Sequence, residues 1–166
     1  MILPSHRLDL CIVPEDPESY PRDAMAALIA HWAVRGIVNS AGWAESNANA
    51  LVEGGFRRLR IDDPGRVVLY ANQMGGFRVA CPKREGNIVA AFRRALVASR
   101  KGEPRLLDCP ACGNSHPLEA LDYAPAAAFG RVCLVVSDVN DAHLTAEAVA
   151  EVSDRLGGWT LVRRRV

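Results

Sequence analysis

Two cysteines in the middle of the chain have the spacing that points most directly to a chemistry. Cys109 and Cys112 enclose Pro110 and Ala111, and Gly113 follows them. This arrangement folds a tight turn that directs both thiolates at one point, and a structural Zn²⁺ is held by four such ligands in a tetrahedron. The segment therefore predicts one half of a metal site.

A second cysteine segment supplies part of the other half. Cys81 is followed by proline in the same way, but Arg84 stands where a second cysteine would complete the pair. A guanidinium has no lone pair to offer a metal. His116 follows Cys112 at a spacing that lets one loop supply a further ligand, which predicts a Cys₃His site. The predicted ligands are Cys81, Cys109, Cys112 and His116.

Residues 77–118 resemble a zinc ribbon with a helical insertion. Both cysteine-proline segments follow a predicted strand, at 77–80 and 105–108, as the rubredoxin-type knuckles of that family do. The resemblance implies a zinc-ribbon-like module over residues 77–121, with a structural zinc, in a small α+β bacterial-type protein. Arg84 departs from the family pattern, in which both knuckles usually supply two cysteines.

Other interpretations of the same residues stay open. Arg84 is also compatible with a ribbon that has lost its metal and kept its fold. A redox pair at Cys109 and Cys112 would need a helix directly after the second cysteine, and Pro117 opposes one. Glu85 is a poorer fourth ligand than the histidine, because a carboxylate is a hard ligand in a soft site.

Composition favours one folded domain over residues 1–166. The chain has 166 residues, 49% of them apolar, with 20 Lys and Arg against 19 Asp and Glu. This length and apolar content suffice for a core, and the balanced charge lacks the basic excess of a nucleic-acid-binding domain. The odd number of cysteines argues against a disulfide framework. Cys11 and Cys133 lie in apolar runs and are expected to be small buried hydrophobes.

The sequence also bears on location. No apolar run approaches the roughly 18–20 residues that a membrane span needs. The first residues lack the charged and then apolar layout of a signal peptide. We therefore expect a cytoplasmic protein without membrane association.

Capping residues predict three helices. One begins at Pro21 and ends near Gly36, one begins after Asn87 and ends near Gly102, and one begins after Thr145. Strands are predicted at residues 8–13, 56–61, 66–71, 77–80, 105–108, 132–136 and 159–166. The strands at 56–61, 66–71 and 77–80 are expected to form an antiparallel meander, with a turn at 74–76.

The two ends of the chain share a layout. An apolar strand, a polar loop, an alanine-rich helix, a glycine and a strand with arginines occur in this order near both ends. This repetition indicates two βαβ-like units. The predicted fold is therefore α+β, a mainly antiparallel or mixed sheet with two to three helices and a central zinc-ribbon-like insertion.

We expect a small non-enzymatic protein of the adaptor or immunity type, which binds another protein and uses the zinc site as a rigid staple. One alternative is an enzyme whose active site is dispersed over the loops at 40–49 and 138–143. Another is nucleic-acid binding through a set of arginines. That set is Arg57, Arg58, Arg60, Arg84, Arg93 and Arg94.

Overall fold

The computed structural model describes residues 7–73 and 76–166, in which three α-helices and ten β-strands form an α+β fold, as predicted. All strand pairs are antiparallel. In chain order the elements are β1 (Leu8–Pro14), α1 (Arg22–Val34), β2 (Arg58–Asp62), β3 (Val68–Tyr70), β4 (Arg78–Ala80), α2 (Val89–Arg100), β5 (Leu106–Asp108), β6 (Ser115–Pro117), β7 (Asp122–Ala124), β8 (Ala128–Gly130), β9 (Cys133–Ser137), α3 (Ala146–Leu156) and β10 (Trp159–Arg165).

The chain divides into two compact units. The first is formed by the described part of Met1–Asn72 together with Ala126–Val166, and the second by the described part of Gln73–Pro125. The second unit contains β4, α2, β5, β6 and β7, and a 3₁₀ turn at Leu118–Ala120. The first contains the remaining elements, with a 3₁₀ turn at Ala48–Ala50.

The first unit is built on a four-stranded sheet with the order β10-β1-β9-β2. Because each neighbouring pair is antiparallel, β1 and β2 run parallel to each other with β9 between them, and β9 and β10 run parallel with β1 between them. Helix α1 connects β1 to β2, and helix α3 connects β9 to β10. This is the ferredoxin-like arrangement of two βαβ units, and it confirms the repeated layout inferred from the sequence.

The helix starts follow from local chemistry. Pro21 directly precedes α1, where a missing N–H costs nothing. Thr145 caps α3, and its hydroxyl accepts the backbone N–H of Ala148 at 3.2 Å. Asn87 Oδ1 accepts the N–H of Val89 at the start of α2. All three predicted helices are therefore confirmed.

The sheet buries both of its faces. On one face, core residues such as Ile12 and Leu134 pack with Trp32 of α1 and are fully buried. On the other face, Cys11 and Cys133 are 0% exposed and cluster with Tyr70. The prediction that these two cysteines are small buried hydrophobes is thus confirmed.

Strands β3 and β8 pair at the point where the chain leaves and re-enters the first unit. Tyr70 lies opposite Ala128 in this pair. The phenol of Tyr70 donates to Asp62 Oδ2 of β2 at 2.9 Å. Gly130 permits close packing here, because a Cβ at this position would lie 2.8 Å from a methyl group of Val13. The two ends of the long insertion are therefore held together within the first unit.

The predicted meander is wrong. Strand β2 pairs with β9, β3 with β8 and β4 with β7, so none of the three pairs with another. The strand signals at 56–61, 66–71 and 77–80 are real, but turn residues predict only that the chain reverses, and the true partners lie far downstream.

The expected turn at 74–76 falls partly on Met74 and Gly75, outside the described residues. The first six residues, which bear on the signal-peptide expectation, also lie outside them.

The helices are short. The longest, α1, has 13 residues. Within residues 7–73 and 76–166, no helix combines the length and the apolar character needed to cross a bilayer.

A carboxylate on α3 ties this helix to α1. Glu151 accepts the buried indole N–H of Trp32 at 3.2 Å and contacts His31 Nε2 at 2.6 Å and an Arg35 guanidinium nitrogen at 2.7 Å. Glu147 contacts the same arginine at 2.7 Å, but its side chain is 60% exposed against 18% for Glu151. The inner carboxylate therefore satisfies a buried donor, whereas the outer one forms a surface pair.

We predict that Glu151→Ala lowers the free energy of unfolding by about 1–3 kcal/mol, because it leaves the indole N–H of Trp32 without a partner. The matched change Glu147→Ala should cost less than about 1 kcal/mol, as exposed ion pairs do. Urea unfolding followed by tryptophan fluorescence measures both. Equal losses in the two variants would contradict the bridging role of Glu151.

Candidate metal centre

The four predicted ligand residues come together in the second unit. The sulfur atoms of Cys81, Cys109 and Cys112 and one ring nitrogen of His116 all lie within 4.8 Å of one another. His116 Nε2 is 3.1 Å from Cys112 Sγ and 3.9 Å from Cys81 Sγ. Three thiols and one imidazole nitrogen therefore lie close enough together to hold one metal ion.

Short elements bring these residues to that point. Cys81 directly follows β4, and Cys109 directly follows β5. His116 lies on β6 opposite Leu107 of β5, and Cys112 lies in the turn that joins these two strands. The hairpin β5–β6 therefore carries three of the four donors. A 3₁₀ turn at Leu118–Ala120 follows directly after β6.

The turn after Cys109 has the geometry that its sequence implies. The N–H of Gly113 donates to the carbonyl of Cys109, and the N–H of Cys109 donates to the carbonyl of Asn114, both at 2.9 Å. Gly113 has a φ of +74°, a region that L side chains rarely adopt. Ser115 Oγ donates to Asp108 and closes the hairpin. The backbone thus fixes Cys109 and Cys112 on one side of the turn.

The turn after Cys81 keeps the form of a knuckle although a second cysteine is missing. The backbone N–H of Lys83 points at Cys81 Sγ at 3.4 Å. Burial raises the pKa of the Cys81 thiol. The backbone N–H groups of Lys83 and Arg84 and the hydrogen bonds to the other two cysteines lower it by more than burial raises it, so the net pKa falls below the usual value. Backbone dipoles therefore favour a thiolate at this position.

The neighbouring thiol behaves in the opposite way. The N–H of Asn114 lowers the pKa of Cys112, but burial and the sulfur atoms of Cys81 and Cys109 raise it more, and the net pKa lies above the usual value. Adjacent thiolates repel each other, so ionising one opposes ionising the next. A bound dication would reverse this balance, because coordinating thiols are deprotonated outright.

The cluster is largely closed to solvent. Cys81, Cys109 and His116 are 4%, 3% and 7% exposed, and Cys112 is partly buried. Glu85, the poorer candidate for the fourth ligand, is exposed, and so is Arg84. Strand β6 follows Cys112 where a thioredoxin-like motif would have a helix, so the local structure does not support the redox interpretation.

The second unit, which contains the cluster, also has a small apolar core. The rings of Phe77, Phe92 and Tyr123 pack together with centroids 5.5 to 6.3 Å apart. Leu107 and Leu118 are also buried. A core of this size rarely stabilises so short a segment alone, and natural domains of this kind commonly add a metal or disulfides.

The polar loops of the dispersed-active-site alternative are engaged in local hydrogen bonds. Asn47 Nδ2 donates to the carbonyl of Arg35, and Asn140 Nδ2 donates to that of Gly54. Asp141 Oδ1 accepts the N–H of His143 at 3.1 Å. These side chains therefore shape the loops in the described structure.

Comparison with protein-family models, with curated proteins and with solved structures finds no match to this chain. The chemistry of the cluster therefore carries the functional argument.

We predict that an engineered cysteine can replace the histidine. His116→Ala should weaken metal binding by more than the roughly 10–100-fold that outer-shell changes typically cost. Adding Arg84→Cys should restore tight binding, because the turn after Cys81 already has the knuckle form. Competition with a chromogenic chelator measures the affinity.

The matched control for this rescue is Lys83→Cys in the His116→Ala background, which places a thiol one residue earlier in the same turn. It should not restore binding. Equal rescue by both cysteines would show that the turn does not direct position 84 at the metal.

Proposed function

We propose that this chain binds one Zn²⁺ in a structural Cys₃His site and acts as a small non-enzymatic protein that recognises another protein. The observation that carries the proposal is the convergence of four donor atoms within 4.8 Å. The four donors are those of Cys81, Cys109, Cys112 and His116.

The donor set supports zinc. Thiolate and imidazole are the ligands of structural zinc sites, whereas calcium and magnesium take oxygen. A tetrahedron with Zn–S bonds of about 2.3 Å and a Zn–N bond of about 2.0 Å separates its ligand atoms by roughly 3.5–3.8 Å. The separations of 3.1 and 3.9 Å between His116 Nε2 and two of the sulfur atoms bracket that spacing.

The arrangement favours a structural over a catalytic role. Four protein donors fill a tetrahedral zinc, whereas a catalytic zinc keeps one position open for water or substrate. Three of the four ligand residues are buried. Zinc at this site would join the end of β4 to the β5–β6 hairpin across the intervening helix α2.

The energetic consequence is large on the scale of a small domain. Structural zinc contributes about 10–16 kcal/mol of apparent binding free energy in zinc-finger peptides at neutral pH. Binding to the folded state alone converts that affinity into stability. The second unit should therefore depend on metal for its fold, as a zinc ribbon does. A ribbon-like fold that persists without metal is the competing possibility.

A binding role fits a closed metal site. A closed zinc site provides rigidity, and rigid elements hold recognition surfaces with little loss of entropy on binding. A small protein of the adaptor or immunity type would use a rigid surface in this way. Nucleic-acid binding through exposed arginines such as Arg93 and Arg94 is the alternative.

The metal proposal predicts one zinc per chain by mass spectrometry of protein purified without added metal. Cys109→Ser should lose the zinc and lower the melting temperature, and a chelator should do the same to the native protein. The matched control is Cys133→Ala, which removes a buried cysteine from the first unit and should retain the zinc. A metal-free native protein whose stability a chelator does not change would overturn the proposal.

A further inference from the structure

We propose that Trp43, Arg57 and Arg58 form a docking surface for an acidic segment of another protein, which we call the Trp43 surface. The inference deepens the proposed protein-binding function and rests on it. All three residues belong to the first unit, whereas the metal cluster belongs to the second. The surface therefore has its own test.

Trp43 is exposed where a tryptophan would normally be covered. Its relative exposure is 41%, against 0% for Trp32 in the core. Tryptophan is buried to a high average degree, and an exposed one is typical of a binding surface because it offers a large rigid contact area. Tryptophan and arginine are also among the residues enriched in binding hot spots.

The backbone that carries Trp43 is held by a closed turn. The N–H of Asn39 donates to the carbonyl of Trp43 at 2.9 Å, and the N–H of Gly42 donates to the carbonyl of Asn39 at 3.0 Å. The side-chain oxygen of Asn39 accepts the N–H groups of Ala41 and Trp43, both at 3.0 Å. The indole is thus presented on a preorganised support.

This turn is fixed to the edge of the sheet. The N–H of Leu59 donates to the carbonyl of Gly42 at 2.7 Å. Gly42 has a φ of +85°, and a Cβ there would lie 2.1 Å from the carbonyl oxygen of Leu59. Only glycine permits this approach. Trp43 also forms a β-bridge with Arg58 of β2.

Two guanidinium groups lie over the indole ring. The Cζ atoms of Arg58 and Arg57 are 4.9 and 5.7 Å from its centroid. These distances fall within the range of cation–π contacts. Arg58 Nε also donates to the carbonyl of Ala41 at 3.3 Å, which positions its guanidinium.

These two cations lack acidic partners. Within the described residues, Arg57 and Arg58 form no salt bridge, whereas Arg60 on the same strand lies 3.6 Å from Asp62. An exposed aromatic ring with two positive charges that have no acidic partner is complementary to a run of carboxylate side chains, whose methylene groups can pack on the ring while their charges pair with the guanidinium groups. The surface therefore fits an acidic protein segment.

The charge pattern favours protein over nucleic acid as the occupant. A nucleic-acid footprint needs basic residues in number along one face, so that several phosphates are neutralised together. The chain has a formal net charge of +1. Two guanidinium groups without a salt-bridge partner beside one ring suit a few carboxylates better than a phosphate backbone.

The test is a titration of the ¹⁵N-labelled protein, purified without added metal and monitored by NMR. A decaglutamate peptide should shift the indole N–H resonance of Trp43 and the backbone resonances of Arg57 and Arg58, and added salt should weaken this response. A decalysine peptide should leave them unchanged. A ten-residue oligothymidine should bind more weakly than decaglutamate.

Two variants and one control sharpen the test. Trp43→Ala should weaken the affinity for decaglutamate about tenfold, and Arg57→Gln about threefold. Arg66→Gln removes another exposed arginine of the first unit and should leave the affinity unchanged. An equal loss in Arg66→Gln would show a general charge effect and overturn the surface.

Metal content measured on the same sample separates this inference from the zinc proposal. A protein that holds zinc but shows no response at Trp43 overturns the docking surface alone. Tighter binding of the oligothymidine than of decaglutamate overturns the assignment to an acidic protein partner. A response to decaglutamate that depends on Trp43 supports the surface, whatever the zinc content.

Discussion

Three thiols and one imidazole share a largely buried space in the second unit, and we propose that the fold of that unit depends on how their charges are balanced. Thiolates this close repel one another, and buried charges are costly unless they are paired or coordinate a metal. Hydrogen bonds from backbone N–H groups and from the other cysteines hold the pKa of Cys81 below its usual value, but the pKa of Cys112 lies above its usual value. A divalent cation bound at the centre would remove the repulsion and would join segments on either side of α2. Zinc would thereby turn an electrostatically unfavourable cluster into a stabilising one.

The first unit meets the ordinary requirements of a folded domain by other means. Its sheet is covered by apolar residues on both faces, and its helices are tied together through Glu151. The pairing of β3 with β8 brings the ends of the long insertion together, and loop-closure entropy grows only slowly with loop length. The two candidate binding sites thus lie in different units. The second contains the candidate metal centre, and the first presents Trp43 and its arginines.

Local signals in the sequence predicted the parts of the structure that depend on neighbouring residues. Pro21 and Thr145 mark helix starts through their own backbone and side-chain chemistry. The spacing of Cys109, Cys112 and His116 predicted a turn that brings their side chains together. Strand pairing could not be predicted in this way, because β2 pairs with β9 and the whole second unit lies between these two strands in the sequence. Trp43 has no marker in its neighbouring sequence, since its exposure and its contacts exist only after the chain has folded.

The most direct test of the account is X-ray absorption at the zinc edge of protein purified without added metal. The account predicts a four-coordinate zinc with three sulfur ligands at about 2.3 Å and one nitrogen ligand at about 2.0 Å. The His116→Ala variant should lose the nitrogen contribution. A native protein without zinc, or a zinc held by fewer than three sulfur atoms, would contradict the Cys₃His centre.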